Sequence, residues 1–449
     1  MPPSESGQAG APAGPPPAAA PPALWFLYRL TGGLARAASA ITPAGSRKVT
    51  RSFAARRGIR ARFRRWASAH RDPARPLLWM HAPSVGEGLQ ARPVLERLRA
   101  RHPRLQLAYT HFSPSAAGFA ASLPVDVHDY LPFDTPAEMR AALDAWRPTA
   151  LVFSKLDVWP ALAREAAQRG VRLGMISATL AETSARRGAL ASALLREAYA
   201  RLDAVGAIDA ADAGRLVALG VRPSIIEVTG DTRYDQVWAR ARAVSLDHPL
   251  ISLLGSDRPT FIAGSTWPAD ERVLLPAWER VHATNADARL LLVPHEPTTG
   301  HLEPLDRWAR DARLRVRRLS EPATGGDWDV LLVDRTGVLG ELYALADVAY
   351  VGGGFHAAGL HSVLEPAAFG APVLFGPRHA ASRDAGLLLT AGAARVAPTI
   401  DAMAAHAGEW LAHAAMRREA GDAARAVVEA GLGAADRSTA LVVRLLGLR

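Results

Sequence analysis

From residue 77 onward, short apolar runs alternate with longer stretches whose apolar positions recur at helical spacing. The runs fall at 77–81, 105–110, 150–153, 172–176, 204–207 and 226–229, and helical stretches such as 88–101 and 159–170 lie between most of them. This alternation is the mark of a parallel sheet whose strands are joined by crossover helices. A polar, irregular segment at 244–258 breaks the rhythm, which restarts with runs at 260–263, 289–293, 330–333, 348–351 and 372–375. The fold class predicted is α/β, with two Rossmann-like doubly wound domains facing across a cleft. Open sheets of this kind bind ligands beyond the carboxyl ends of their strands, so the cleft is the expected active site.

The N-terminal 75 residues follow another pattern. Residues 1–22 form a Pro/Ala/Gly tract with few large apolar side chains, expected to be disordered and carrying no motif. Residues 23–41 contain Trp25, Phe26, Leu27, Tyr28, Leu30, Leu34 and Ile41, but Arg29, Arg36 and two glycines interrupt them. A membrane-spanning helix is therefore not expected.

Length and composition refine this picture. A chain of 449 residues exceeds one ordinary core, and 49% apolar residues suffice for two. The absence of cysteine excludes disulfides and thiolate metal sites and fits a reducing compartment. The formal charge of +10 calls for an anionic partner, and its distribution is informative. Residues 47–75 hold eleven Lys or Arg against the single acid Asp72, so this stretch accounts for the whole excess. An aromatic apolar segment followed by a basic run, 23–75 in all, reads as an anchor lying on an anionic membrane surface; a surface helix packed on the domain is the alternative. A cleaved secretory signal fits poorly, because the strongest positive charge lies on the wrong side of the apolar segment. Nucleic acid is not an expected partner, since only Phe53, Phe63 and Trp66 interleave the basic residues and no recognition motif accompanies them.

Candidate chemistry sits at strand ends. After the first strand comes His81-Ala-Pro-Ser84-Val-Gly86-Glu87-Gly88, where a helix start either aims a carboxylate into the cleft or holds Glu87 against the helix dipole. It is not a GxGxxG fingerprint, and no dinucleotide is implied. Gly264-Ser265-Thr266 opens the second domain with small hydroxyl residues that cap a helix or grip a phosphate. Gly352-Gly353-Gly354-Phe-His356 leads to His361-Ser362-Val-Leu-Glu365, where three glycines let the backbone approach a ligand and Glu365 falls one turn after His361 on one helix face. A carboxylate there is suited to ribose hydroxyls. Lesser signals are Pro294-His295-Glu296-Pro297, Asp334-Arg-Thr-Gly337-Val338-Leu339, and Ser154-Lys155-Leu-Asp157-Val-Trp159-Pro160. His356, His361 and Glu365 lack a compact zinc pattern, so no metal is expected.

Six segments in this order resemble the bacterial 3-deoxy-D-manno-octulosonic acid (Kdo) transferases over about residues 77–376. They are His81 to Glu87, Lys155 to Pro160, Ser177 to Arg186, Thr229 to Asp235, Ala263 to Thr266, and Gly353 to Pro377. The resemblance implies the two-domain GT-B glycosyltransferase fold and an inverting, metal-independent transfer of Kdo from CMP-Kdo to a lipid A precursor. It implies a peripheral or monotopic protein at the cytoplasmic face of the inner membrane, with no cofactor beyond the donor substrate. The family's glutamate falls on Glu87, as general base toward the acceptor hydroxyl. Acceptor contacts would come from Ser84, Gly86, Lys155, Asp157 and Arg186. On the donor side, Ser265, Thr266, Gly353 and Gly354 would meet the phosphate, Glu365 the ribose, and Gly337, Val338 and Leu339 the cytosine, with His295, His361 and Ser362 alongside. The domain layout that follows is an acceptor domain at 76–243, a linker at 244–258, and a donor domain at 259–449 with closing helices, the last of which (437–446) can cross back. Two departures stand out. Many relatives carry Arg-His where this chain has His295-Glu296, and Asn where it has Ser362, which removes a cation and an amide from the donor site. A transferase using another nucleotide sugar, and a catalytically silent membrane-surface protein with a merely structural Glu87, are the competing expectations.

Overall fold

The computed structural model describes residues 21–43, 45, 47–182, 184–245, 247–321, 328–357 and 359–448. Most of the Pro/Ala/Gly tract lies outside them. Contacts divide the chain into two units, one running to Gly230 and including the residues from Ala435 onward, the other spanning Asp231–Ala434.

The first unit is built on β1 (Leu77–His81), β2 (Gln106–His111), β3 (Val127–Tyr130), β4 (Ala150–Ser154), β5 (Arg172–Ala178), β6 (Ala204–Ala207) and β7 (Ile226–Val228). All are parallel, in the order β3-β2-β1-β4-β5-β6-β7. The second carries β8 (Thr260–Thr266), β9 (Arg289–Pro294), β10 (Val316–Arg318), β11 (Val330–Leu332), β12 (Val348–Val351), β13 (Val373–Phe375) and β14 (Ala394–Val396), in the parallel order β10-β11-β9-β8-β12-β13-β14. Strand order reverses between β1 and β4 in the first sheet and between β8 and β12 in the second. Loops leaving such a switch point diverge to opposite faces and leave a crevice for a ligand.

The strands predicted from apolar runs are present. Three others, β3, β10 and β14, are short edge strands whose charged residues hide them from a hydrophobic reading: His128 and Asp129, Arg317 and Arg318, and Arg395.

The unit boundary differs from the expected one. The helix Thr232–Ala243 buries Tyr234 and Val237 against Val363, Leu364 and Phe375, and Pro249–Leu254 buries Ile251 and Leu254, so both belong to the second unit. The segment 244–258 is thus no free linker, and the break falls at Gly230. The last helix, Ala434–Leu446, crosses back as expected: it leaves the donor domain in which it was counted and packs Leu441, Val442 and Leu445 against Leu78, Met80 and Val94 of the first unit.

The N-terminal segment forms helices Pro22–Ile41, Lys48–Ala55 and Ile59–His70. Much of its charge is structural, which corrects the view of 47–75 as one lipid-binding run. Arg56 is buried and donates to the carbonyls of Leu131 (2.8 Å) and Phe112 (3.1 Å). Arg62 chelates Asp129, Arg60 meets Glu138 at 2.8 Å, and Arg71 caps the carbonyl of Trp146 at 2.7 Å. The first helix docks through Tyr28, whose hydroxyl donates to Asp134 at 2.5 Å, and Trp25, which lies 3.8 Å beneath the Arg164 guanidinium. Phe26, Leu27, Leu30 and Leu34 stay exposed. Among the described residues, no helix is long and apolar enough to cross a membrane.

Phe63 carries the docking of helix Ile59–His70, its ring stacked on Trp146 with centroids 3.8 Å apart and planes within 6°. Phe63→Ala is expected to destabilise the first unit by about 3–5 kcal/mol, the range for truncating a packed aromatic. Urea unfolding followed by tryptophan fluorescence checks it; an unchanged midpoint would mean that this helix is peripheral to the core.

Candidate functional site

Each unit has one candidate site at its switch point. In the first, the chain leaves β1 and turns into the helix Val85–Arg101, with Ser84 at the N-cap and Glu87 in the first turn. Ser84 spends its hydroxyl on the Glu87 carboxylate rather than on the helix backbone. Lys155, leaving the neighbouring strand β4, places its ammonium 3.5 Å from the same carboxylate. Its backbone is left-handed, φ +73°, a conformation that costs a non-glycine residue of order 1 kcal/mol and persists where surroundings fix it. Ser154 donates to the carbonyl of Glu87 at 2.8 Å, so β4 grips the turn that carries the carboxylate. The glutamate is 18% exposed and the lysine 42%, which leaves the pair open on one side. Gly86 borders it, and a Cβ there would lie in ordinary contact with the Ser84 hydroxyl, 3.8 Å away.

Asp157 forms a second pair with Arg186. Its carboxyl is raised mainly by burial; Arg186 pulls it down and Glu87 pushes it up. The structure therefore gathers Ser84, Glu87, Lys155, Asp157 and Arg186 around one strand-end crevice. His81 takes no part in it. Fully buried between Thr110 (2.9 Å) and the Trp159 indole (3.0 Å), it is pushed down to about 3 by burial and is neutral.

In the second unit, Gly264 of β8 lies beside Val351 of β12; there β12 ends, while β8 runs on through an irregularity to Thr266 beside β9. Trp267 caps the helix Pro268–Thr284, and Asp270 in its first turn is fully buried. That carboxylate accepts from the amides of Trp267 (2.9 Å), Gly353 (2.9 Å) and Phe355 (3.2 Å) and from the Tyr350 hydroxyl (2.9 Å). It ties the helix start to the loop after β12.

Four rings gather above this tie. His356 lies parallel to Trp267 at 4.4 Å and 3°, His295 stacks on the same indole at 4.6 Å, and His361 stacks on His295 at 4.6 Å. The Trp267 indole donates to Nε2 of His361 at 3.0 Å. Burial lowers the His361 pKa, His295 and His356 adding to the effect and Asp270 opposing it. Ser265 adjoins the cluster with φ +54°. Below it, Glu365 is raised by burial, with Arg240 pulling down and Glu341 pushing up.

Three expectations need correction. Thr266 is fully buried and its hydroxyl donates to Glu271 at 2.8 Å, which His301 also holds, so that side chain is committed within the protein. The glycine run answers to the protein's own backbone: a Cβ on Gly353 would sit 2.2 Å from the Gly359 carbonyl oxygen, and one on Gly354 2.4 Å from the Gly376 nitrogen. His361 and Glu365 do not share a helix face, because the helix begins only at Leu364 and His361 is tied instead to the Gly352 carbonyl (3.1 Å). Ser362 is exposed, and Gly337, Val338 and Leu339 lead into the short helix Leu339–Leu342. The sequence gives Trp267, Asp270 and His356 no donor role, Asp270 standing only as a residue that opens the following helix; the Trp-Pro dipeptide after a strand, repeated at Trp159-Pro160, is the available signal. Among the described residues, no three His, Asp or Glu side chains assemble a metal site.

The profile of a family described as 3-deoxy-D-manno-octulosonic-acid transferase (kdotransferase) matches residues 57–236, which include Glu87, Lys155 and Arg186. The 3-deoxy-D-manno-octulosonic acid transferase of Bordetella pertussis is 31% identical over 390 residues, 84% of this chain and 89% of the relative. That of Haemophilus influenzae is 28% identical over 304 residues, 67% of this chain and 70% of the relative. Among solved structures, the UDP-GlcNAc 2-epimerase of Neisseria meningitidis bound to UDP-GlcNAc superposes with a TM-score of 0.60 at 13% identity, covering 83% of this chain and 99% of that one. The enzyme of the same name from Methanocaldococcus jannaschii gives 0.53 at 14% identity, with 75% and 93% covered. These likenesses establish the two-unit Rossmann-like fold.

Glu365 gives a stability prediction. Its folded carboxyl lies above the ordinary 4.5, so the folded state holds this proton more tightly, and the associated stability is present below about pH 4.5 and lost as pH rises through the folded value. Glu365→Gln should therefore raise the thermal midpoint at pH 7.5 relative to wild type and leave it nearly unchanged at pH 4. Scans across that range test it; a lower midpoint for the variant at pH 7.5 would show that the Arg240 interaction outweighs burial.

Proposed function

Because this chain belongs to the 3-deoxy-D-manno-octulosonic acid transferase family of glycosyltransferases, we propose that it moves Kdo from CMP-Kdo to a lipid A precursor with inversion, using Glu87 as the base. The observation that carries this assignment is the Ser84–Glu87–Lys155 constellation at the β1/β4 switch point, a half-open carboxylate at a helix start with a cation beside it. As the acceptor oxygen bonds to the anomeric carbon of Kdo, its proton passes to Glu87 and the CMP oxygen leaves with the bonding electrons. Lys155 and Ser84 orient the carboxylate. Asp157 and Arg186 border the acceptor.

The second unit takes the donor. Charge builds on the phosphate as CMP departs, and preorganised donors are worth most there. The start of helix Pro268–Thr284 and the imidazoles of His295, His356 and His361 supply such groups without a metal. Glu365 serves the ribose, and Gly337 to Leu339 the cytosine.

The exposed face of helix Pro22–Ile41, with Phe26, Leu27, Leu30 and Leu34, supports seating on the cytoplasmic face of the inner membrane, assisted by exposed Arg47, Lys48 and Arg51. Full burial of each large apolar side chain is worth roughly 1.5–3 kcal/mol, and stable binding needs the electrostatic term as well.

Incubation with CMP-Kdo and a tetraacylated lipid A precursor, read by mass spectrometry of the lipid, should show the added Kdo mass. Glu87→Ala is expected to lower turnover by about 100-fold or more while CMP binding and unfolding stay near wild type. Undiminished turnover would remove Glu87 from the chemistry, and stabilisation by UDP-sugars but not by CMP-Kdo would overturn the donor.

For the membrane, flotation with anionic vesicles should weaken with added salt, and Leu30→Ser with Leu34→Ser should weaken it further. Equal binding to neutral vesicles would contradict the basic contribution.

A further inference from the structure

The two units share a device at their switch points. Trp159-Pro160 and Trp267-Pro268 each follow a strand end; each Trp is the N-cap of a helix whose first residue is the Pro, and each indole N–H donates to the Nε2 of a histidine at 3.0 Å. A nitrogen that accepts from an indole carries no hydrogen of its own, so the neutral imidazole must bear its hydrogen on Nδ1. In the first unit that hydrogen is used up, because His81 is fully buried and its Nδ1 meets Thr110 at 2.9 Å. His361 is different. It is only half-buried, and among the described residues its Nδ1 meets no protein acceptor.

We infer that Trp267 is a positioning residue that locks His361 in the Nδ1–H tautomer, making it a fixed hydrogen-bond donor to an anionic phosphate oxygen of the donor substrate. This rests on the second unit being the CMP-sugar site. Protonating Nε2 breaks the indole hydrogen bond, so the lock also resists formation of the imidazolium. The groups facing His361 act on the same equilibrium: His295 at the end of β9 and His356 after β12 disfavour the cation, and Asp270 at the helix start favours it. The phosphate is thus met by a neutral donor of fixed direction. Stacking gives Trp267 a second role, as the plate on which His295 and His356 rest, and the two roles separate in Trp267→Phe, which keeps a ring and removes the N–H.

The test uses the full-length chain labelled with nitrogen-15, with the His361 signals assigned by their loss in His361→Asn. Long-range proton–nitrogen spectra of the ligand-free wild type should show Nδ1 protonated and Nε2 bare. In Trp267→Phe the two tautomers should mix, the titration midpoint of His361 should rise, and CMP should bind about fivefold more weakly, the effect of one misdirected hydrogen bond. A wild-type His361 protonated on Nε2 overturns the lock whether or not Trp267→Phe folds, and so does a Trp267→Phe protein with unaltered tautomer and CMP affinity. A locked tautomer in a wild-type protein that binds no CMP leaves the lock standing and overturns its phosphate role together with the donor assignment. CMP binding with an unlocked tautomer overturns the lock alone.

Discussion

The loops of the second unit depend on one buried carboxylate. Asp270 receives four hydrogen bonds, three from backbone amides on two separate chain segments and one from Tyr350. Without it, the amides of Gly353 and Phe355 would be left buried or half-buried without that partner, and an unsatisfied buried donor costs about 1–3 kcal/mol. The fold solves two problems with the same side chain: it caps the helix Pro268–Thr284 and anchors the turn after β12. The indole of Trp267 and the imidazoles above it then rest on a floor that does not have to reorganise. The first unit has a counterpart in Ser154, which fixes the Glu87 turn through its carbonyl and leaves the carboxylate itself to Ser84 and Lys155.

How much of this was legible in the sequence follows from what each signal depends on. Central parallel strands are buried on both faces, so β1, β2 and β4 show as apolar runs and the two switch points could be located from them. Edge strands β3, β10 and β14 interact on one side only and carry charges, so no run marks them. The unit boundary was misjudged because 244–258 is polar, whereas what decides membership is the apolar face of Thr232–Ala243, visible only once Val363 and Phe375 are beside it. Glu87, Lys155 and Ser84 are singled out in the sequence by their place at strand ends together with the family resemblance, and the structure brings the three side chains together. Asp270 and Trp267 are not singled out, because their significance lies in partners more than 80 residues away. Thr266 and the glycine run show the reverse error, in which residue types that suit a ligand are consumed by the protein's own packing.

The basic N-terminal run shows how composition overstates a function. Burial lowers the Arg56 guanidinium to about 10, and it is held by carbonyls and by the faces of Phe112 (4.2 Å), Tyr130 and Phe133. Its bond to the Phe112 carbonyl matters for the first site, because the amides of Phe112 and Ser113 both donate to the carbonyl of Pro83, one residue before the Ser84 cap. Arg56 therefore belongs to the scaffold of the Glu87 loop, while Arg47, Lys48 and Arg51 remain exposed. One continuous run of like charges divides into a buried scaffold and an exposed surface, and only burial separates them.

The departure at His295 from the Arg-His pattern that the family resemblance implies takes on a different meaning beside the ring cluster. An arginine attracts a phosphate through a permanent charge that salt screens and that favours any anion of similar size. Stacked imidazoles would meet it through directed hydrogen bonds, which weaken steeply when geometry is wrong. Stacking three histidines around one indole fixes the directions of their rings, so in the proposed donor site the cluster trades long-range attraction for orientation. In the proposed reaction that exchange falls on the leaving group, where the bond to be broken must be aligned with the incoming oxygen, and alignment rather than net charge is what a rigid array of donors supplies.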